Sequence, residues 1–365
     1  MAAETASAPR RASLVNKILS TPAAPQTSSP LFGQLPAEIR SEIFAYVLTD
    51  APDHSVPGKA YHKDTCFARP GYSAPRRTDA ALLRTCRAAY AEGWHLPFAM
   101  REQVHWATRD WQRAPPGYEF EIAMHKAGLM LRAAREQRRA ETTMPFEIQS
   151  LRVFAQTVML EWGNLARLLR TEHLHPRSLT LTVRHADWPG WEDDAPLQLE
   201  GKWLPAVHEV LASSVREVRV ELESLQRKEG QVNGIAAQMR DKWWFQRTDG
   251  VEMYADEDDE ATTVQRWQGT SRWHGMRWVR DESSEGVIDY YVKTVVFRPA
   301  GVLARKGVSV SPEARAFARR GSRPLDAELR LRVNECQRII HSQPFVVEDE
   351  RNRMPIARRR LRRRG

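Results

Sequence analysis

Cysteine is scarce. The 365 residues hold three, Cys66, Cys86 and Cys336, far apart and in no C-x-x-C pair. An odd, dispersed set builds no disulfide framework, so a reducing intracellular compartment, cytoplasmic or nuclear, is expected. Long apolar runs are missing too. No stretch approaches the roughly eighteen apolar residues that a membrane helix needs, and the first residues form no apolar signal region. Glycine occurs in neither G-x-G-x-x-G nor G-x-x-x-x-G-K-[ST], and G-x-S-x-G is absent, which leaves no phosphate cradle and no nucleophile elbow. The paired acids Asp193 and Asp194 are adjacent in a Pro-containing turn, and nothing sets two carboxylates across a cleft. These absences point away from an enzyme, and no cofactor is expected.

Tryptophan, by contrast, is abundant, with twelve residues. Its large ring favours burial and its N–H then needs a partner, so a packed body is the default reading. The net charge of +9 is concentrated at the ends. From Arg351 onward there are eight arginines and no acid, and the first thirty residues add a net +2. Residues 31–350 are therefore almost neutral, and the high isoelectric point does not by itself make a nucleic-acid-binding fold.

Residues 1–30 are rich in Ala, Ser, Thr and Pro and are expected to be disordered. A helix is expected from Leu35 to Leu48: Pro36 suits the first turn, Glu38 opposes the positive helix end, and Ile39, Ile43 and Val47 recur at helical spacing. Residues 49–78 read as a loop. A second helix is expected from Asp79 through Leu82, Leu83, Cys86, Ala89 and Tyr90 to Gly93, with Cys86 in mid-helix on the apolar face. A short strand is expected over 103–107 and a connecting helix over 119–142, within a linker spanning 108–145. Beyond it, apolar residues follow an i, i+3, i+5 spacing at Ile148-Leu151-Val153, Pro176-Leu179-Leu181, Val215-Val218-Val220 and Val292-Val295-Phe297. Period-two continuation marks these as strands. Helical stretches over 155–171, 203–212 and 223–244 separate them, so parallel strand–helix–strand units are expected.

The fold class is thus mixed, α+β: a helical module over 31–107 and an α/β body over 146–345. The i, i+3, i+5 spacing also occurs in leucine-rich repeats, although the starts here lie 28, 39 and 77 residues apart. A degenerate repeat-like sheet and a compact α/β domain both remain open. An acidic loop is expected at Asp256–Glu260, an amphipathic helix over 326–342, and a basic disordered tail over 346–365.

The run Leu35-Pro36-x-Glu38-Ile39-Arg40-x-x-Ile43-Phe44-x-Tyr46-Val47-Leu48 resembles the first helix of F-box domains. More narrowly, with Leu82-Leu83-Arg84-Thr85-Cys86-Arg87-Ala88-Ala89-Tyr90-Ala91-Glu92 after it, it resembles the F-box-like N-terminal module of fungal proteins. Residues 179–199, with Arg184, Asp187, Trp188, Trp191 and Glu192, are similar to the body of such proteins. The resemblance implies a protein-interaction adaptor, the substrate receptor of a cullin–RING ubiquitin ligase. Leu35, Pro36, Ile39, Ile43 and Leu48 would face the adaptor subunit or form the module's core, and the body would hold a target protein. One departure stands out: about thirty residues separate the two helices, where a compact F-box keeps its helices close.

Three further groups of residues carry candidate chemistry. His173 and His175, with His185 and Asp187, are a metal candidate of which surface and capping roles are the simpler reading. Trp243, Trp244, Phe245, Trp267, Trp273 and Trp278, interleaved with arginines, are either core rings with a solvated charged fringe or a base-stacking surface. With Arg358, Arg359, Arg360, Arg362, Arg363 and Arg364, a nuclear-targeting or polyanion-binding cluster, this segment defines the alternative of a nuclear nucleic-acid-associated protein.

Overall fold

The computed structural model describes residues 18–53, 55, 60–109, 111–138, 146–255, 263–273, 275–320, 329–333, 347–349 and 354–356. Residues 1–17, the acidic run Asp256–Glu260 and the arginine cluster at 358–364 lie outside the described residues.

The first expected helix runs from Ala37 to Val47 (α1), with Pro36 as its N-cap. Phe44 and Leu48 are completely buried and pack with Ala89, Leu82, Leu83 and Leu96. The second helix begins later than expected. Leu82–Arg84 is a separate single turn, Cys86 takes an extended backbone, and its Sγ accepts the Ala89 N–H at 3.4 Å. Cys86 therefore caps the helix Arg87–Gly93 (α2) instead of lying in the middle of one. Gly93 is where α1 and α2 come closest: a Cβ there would fall 2.9 Å from Leu83 and 3.1 Å from Phe44. Arg40 on α1 clamps Glu92 on α2 through two nitrogens, each at 2.9 Å. A short helix follows at Leu96–Met100 (α3).

One eight-stranded sheet organises the rest. Glu102–Ala107 (β1), Glu147–Ala155 (β2), His175–Val183 (β3) and Glu217–Leu225 (β4) run parallel in chain order. The connections carry Phe120–Arg138 (α4), Thr157–Glu161 (α5), Asn164–Leu169 (α6) and Leu204–His208 (α7). The helix expected over 155–171 is cut into α5 and α6 by Gly163, which takes φ 76°. After β4 come Glu229–Lys242 (α8) and then the strands Trp244–Gln246 (β5), Glu252–Ala255 (β6), Thr263–Thr270 (β7) and Val287–Pro299 (β8). The order is β1-β2-β3-β4-β8-β6-β5, with β7 sharing the outer edge of β8 with β6.

Because β8 runs antiparallel to β4, β6 and β7, the sheet is mixed. The parallel strand–helix–strand expectation holds for β1–β4. The repeat-like alternative fails at β8, since stacked repeats present every strand in one direction. The helix expected from residue 223 also starts late: Glu223, Ser224 and Leu225 still belong to β4. The strand at β1 belongs to the same sheet as the body, so the helical module is continuous with it.

Rows of apolar residues cross the sheet on its main-core face. Leu151, Leu179, Val218 and Phe297 stand side by side, and so do Val153, Leu181, Val220 and Val295. All are essentially unexposed, and α8 covers them with Val232, Ile235, Ala236 and Met239. Of the helix expected over 326–342, residues 326–328 and 334–342 lie outside the described set, and Leu331–Arg332 is a strand paired with Gln198–Leu199. Trp243, fully buried, anchors this segment by donating its Nε1–H to the Leu329 carbonyl at 2.8 Å. Gly201 allows the close approach, because a Cβ there would fall 2.6 Å from both the Cβ and the carbonyl oxygen of Leu329. Gly201→Ala is expected to destabilise the fold by about 1–3 kcal/mol through overpacking. Urea unfolding checks this, and an unchanged midpoint would mean that the 329–331 segment yields at no cost.

No helix among the described residues is long and apolar enough to cross a membrane.

Candidate functional site

The opposite face of the sheet is built from different residues. Trp106, Phe154, Thr182, Glu221 and Thr294 form a row across β1, β2, β3, β4 and β8. Polar groups on a strand ordinarily face water, yet Thr182, Thr294 and Phe154 are 2% exposed or less. Residues 60–75 lie across them. The Tyr72 ring meets Phe154 edge-on at 5.0 Å, Phe67 meets Trp106 at 6.2 Å, and Trp106 stacks on Phe154 at 4.2 Å. The chain enters and leaves this strap through a two-stranded ribbon, Asp50–Pro52 with Arg76–Thr78. The long separation between α1 and α2 is thus a segment packed on the body.

Arg152, Glu221 and Glu102 form a buried network under the strap. Arg152 donates to Glu221 at 2.5 Å, to Thr182 at 2.9 Å and to Glu102 at 3.0 Å, and the Tyr72 hydroxyl donates to Glu102 at 2.5 Å. Burial alone would raise the Glu221 carboxyl, but Arg152 beside it holds it below the usual range.

A cavity of about 600 Å³ opens where β3 and β4 end. The carboxyl ends of parallel strands are where open α/β sheets bind their ligands, and the volume falls within the roughly 300–1,000 Å³ of ligand pockets. Arg184 and His185, which follow β3, line it with Glu223 of β4, Trp267 of β7, Tyr290 of β8, and Cys66 and Arg69 of the strap.

Arg184 knits this end together. Its Nε and Nη2 donate to Asp187 at 2.6 and 3.1 Å, and its Nη1 donates to the carbonyls of Cys66 and Arg113 at 3.3 and 3.1 Å. The guanidinium lies over Trp106, 5.0 Å from the ring centre. Burial would depress Arg184, and the neighbouring Asp187 overrides it, so its pKa stays above the ordinary value. Burial pushes the Cys66 thiol up against the opposing field of Arg184. The half-buried thiol donates to the Gln112 carbonyl at 3.6 Å, a contact that suits a packing group.

Arg69 is held differently. Its Nη2 lies 2.8 Å from Glu223 Oε2, and the Trp267 Nε1–H donates to the same oxygen at 3.1 Å. Its Nη1 is buried with no hydrogen-bond partner among the described residues, a deficit that costs about 1–3 kcal/mol or more. Trp267 stacks on Tyr290 at 4.3 Å with 20° between the planes. The stack depends on Gly269, whose Cβ would fall 2.8 Å from Tyr290 and 2.9 Å from Trp267. Below Tyr290, His185 Nε2 lies 3.8 Å from Asp281, which Arg227 and Arg280 also hold at 2.7 and 2.8 Å. Against the effect of burial, His185 and Arg280 keep the Asp281 carboxyl far below the usual range.

No family model, no curated protein and no solved structure matches the chain.

The residues singled out from sequence fall in several places. Leu48 is buried in the helical core and Leu35 is half-buried, while Pro36, Ile39 and Ile43 are exposed. His185 and Asp187 do not share a strand face: β3 ends at Val183, both side chains are buried in the following turn, and Asp187 accepts the Arg184 N–H at 3.2 Å. The capping role holds there and the surface role does not. His173, at φ 67°, pairs with Arg135 and Glu172, and His175 opens β3. Trp243, Trp244, Trp273 and Trp278 are core rings, 6% exposed at most. Their neighbours Arg247, Arg266, Arg277 and Arg280 are paired with Asp249, Glu229, Glu282 and Asp281. Arg69, Arg152 and Glu223 carry no signal in the sequence. Arg184 carries one only through the resemblance of residues 179–199.

Proposed function

We propose that the chain is an F-box-like protein-interaction adaptor, with α1 docking on the small adaptor subunit of a cullin–RING ubiquitin ligase and the α/β body holding a target protein. The observation that carries this reading is the outer surface of α1. Ile39 is 44% exposed, Ile43 36%, Val47 44% and Tyr46 85%. With Pro36 they span an apolar arc of about 100° beside the buried arc of Phe44 and Leu48. A helix apolar on two adjoining arcs, only one of which meets the core among the described residues, has surface left for a partner. The resemblance of the Leu35–Leu48 run supplies that partner's identity. Proximity would be the whole mechanism, and it calls for no cofactor.

Co-expression with the adaptor subunit tests it. The wild type is expected to retain the subunit through size-exclusion chromatography. Ile39→Asp with Ile43→Asp is expected to lose about 2 kcal/mol or more of binding, as buried interface anchors do. Stability should change by only about 0.5 kcal/mol, since both side chains are exposed. Equal retention by the two proteins, or none by the wild type, would sink the proposal.

A further inference from the structure

We propose that the cavity at the carboxyl ends of β3 and β4 is a binding site for a small organic monoanion, a carboxylate borne on a flat apolar body. Arg69 supplies the polar anchor. Its side chain is 9% exposed, one terminal nitrogen is fixed by Glu223, and the other, Nη1, is buried with no acceptor among the described residues. Buried donors in native proteins almost always find a partner, so a preset cationic N–H without one calls for an oxygen from outside. The planar guanidinium fork fixes where that oxygen must sit once Glu223 holds its other tine.

Charge sets the ligand class. Arg113 and Arg184 share the single carboxylate of Asp187 at 3.6 and 2.6 Å, which leaves a positive surplus beside the cavity, and Lys63 also lines it. Glu223 limits how much negative charge can enter. Its side chain is 3% exposed, and a dianionic phosphate would set two charges against a buried carboxylate where a monoanion sets one. His185 also lines the cavity, with its Nε2 3.8 Å from Asp281. The stacked Trp267 and Tyr290 rings, with Tyr61 and Trp273, give the flat wall that an apolar body would lie on.

Ligand-observed NMR titration of the full chain tests the assignment with three probes sharing one ring system: naphthoate, the neutral naphthylmethanol, and naphthyl phosphate. Naphthoate is expected to bind about tenfold or more tightly than either of the others. Arg69→Lys keeps a cation opposite Glu223 and removes the spare nitrogen, so it is expected to weaken naphthoate by about tenfold while leaving naphthylmethanol unchanged. Naphthoate binding no tighter than naphthylmethanol, or unaltered in Arg69→Lys, overturns the proposal. Naphthyl phosphate binding as well as naphthoate overturns the monoanion assignment. If Arg69→Lys does not fold, Trp267→Leu decides: undiminished naphthoate affinity there puts the ligand elsewhere. No adaptor subunit enters this measurement, so its outcome is separate from that of the docking reading.

Discussion

Arg184→Met is expected to destabilise the protein by about 3–5 kcal/mol, the usual cost of removing one partner from a buried ion pair. Asp187, with a completely unexposed side chain, would keep the backbone N–H of residue 184 at 3.2 Å and Arg113, whose nearest nitrogen is 3.6 Å away. The carbonyls of Cys66 and Arg113 would lose their shared donor in the same step. Urea unfolding measures the loss as a lower midpoint at an unchanged slope. Adding Asp187→Leu is expected to restore part of it, because an apolar pair of similar size needs no desolvation of charge. A loss below about 1 kcal/mol for the single variant would show that Arg113 suffices to hold Asp187.

Arg152→Met is expected to cost a similar amount, about 3–5 kcal/mol near neutral pH, and to weaken the acid response. In the wild type the folded-state pKa of Glu221 lies below its unfolded value. Its contribution is present above the unfolded pKa and disappears as pH falls through the folded one. Without Arg152, burial is opposed only by the Thr182 hydroxyl at 2.7 Å and the charge of Arg69, so the folded pKa of Glu221 is expected to rise. The variant then loses less stability on protonation of Glu221 than the wild type does. The gap between the two should be widest at neutral pH and narrow below about pH 4. Parallel denaturation curves across that range check the direction, and a gap independent of pH would show that Glu221 is not the group left exposed to burial.

Much of the fold was legible from apolar spacing. Leu179, Leu181 and Val183 alternate, as do Val218, Val220 and Leu222, and such a pattern is stable only with one face on a core. Helix α1 was equally legible, but its orientation was not. Ile39, Ile43 and Val47 announce the helix and then face outward, while Phe44 and Leu48 face in. Periodicity shows that an apolar arc exists and is silent about which of two arcs meets the protein. The second face of the sheet was hidden for another reason. Arg152, Thr182, Glu221 and Glu223 read as the solvent side of their strands, and only the strap from Tyr61 to Tyr72, which reads as a plain loop, buries them. Arg69, Arg184 and Glu223 come together across three distant segments, so no local spacing could join them. The antiparallel entry of β8 had no local signal either, because pairing direction depends on which edge is still vacant.

That vacancy has a consequence for the chain as it is being made. Residues up to Leu225 complete the four parallel strands, yet one edge of β4 receives its partner only when β8, starting at Val287, has been synthesised. Until then Val218, Val220 and Leu222 lie along an open edge with free backbone donors and acceptors, the form in which sheets recruit other chains. Every nascent chain ending between residues 226 and 289 carries that open edge, since pairing with β4 begins at Tyr290. Those lengths are the interval in which a ribosome-bound chaperone would have the most to cover.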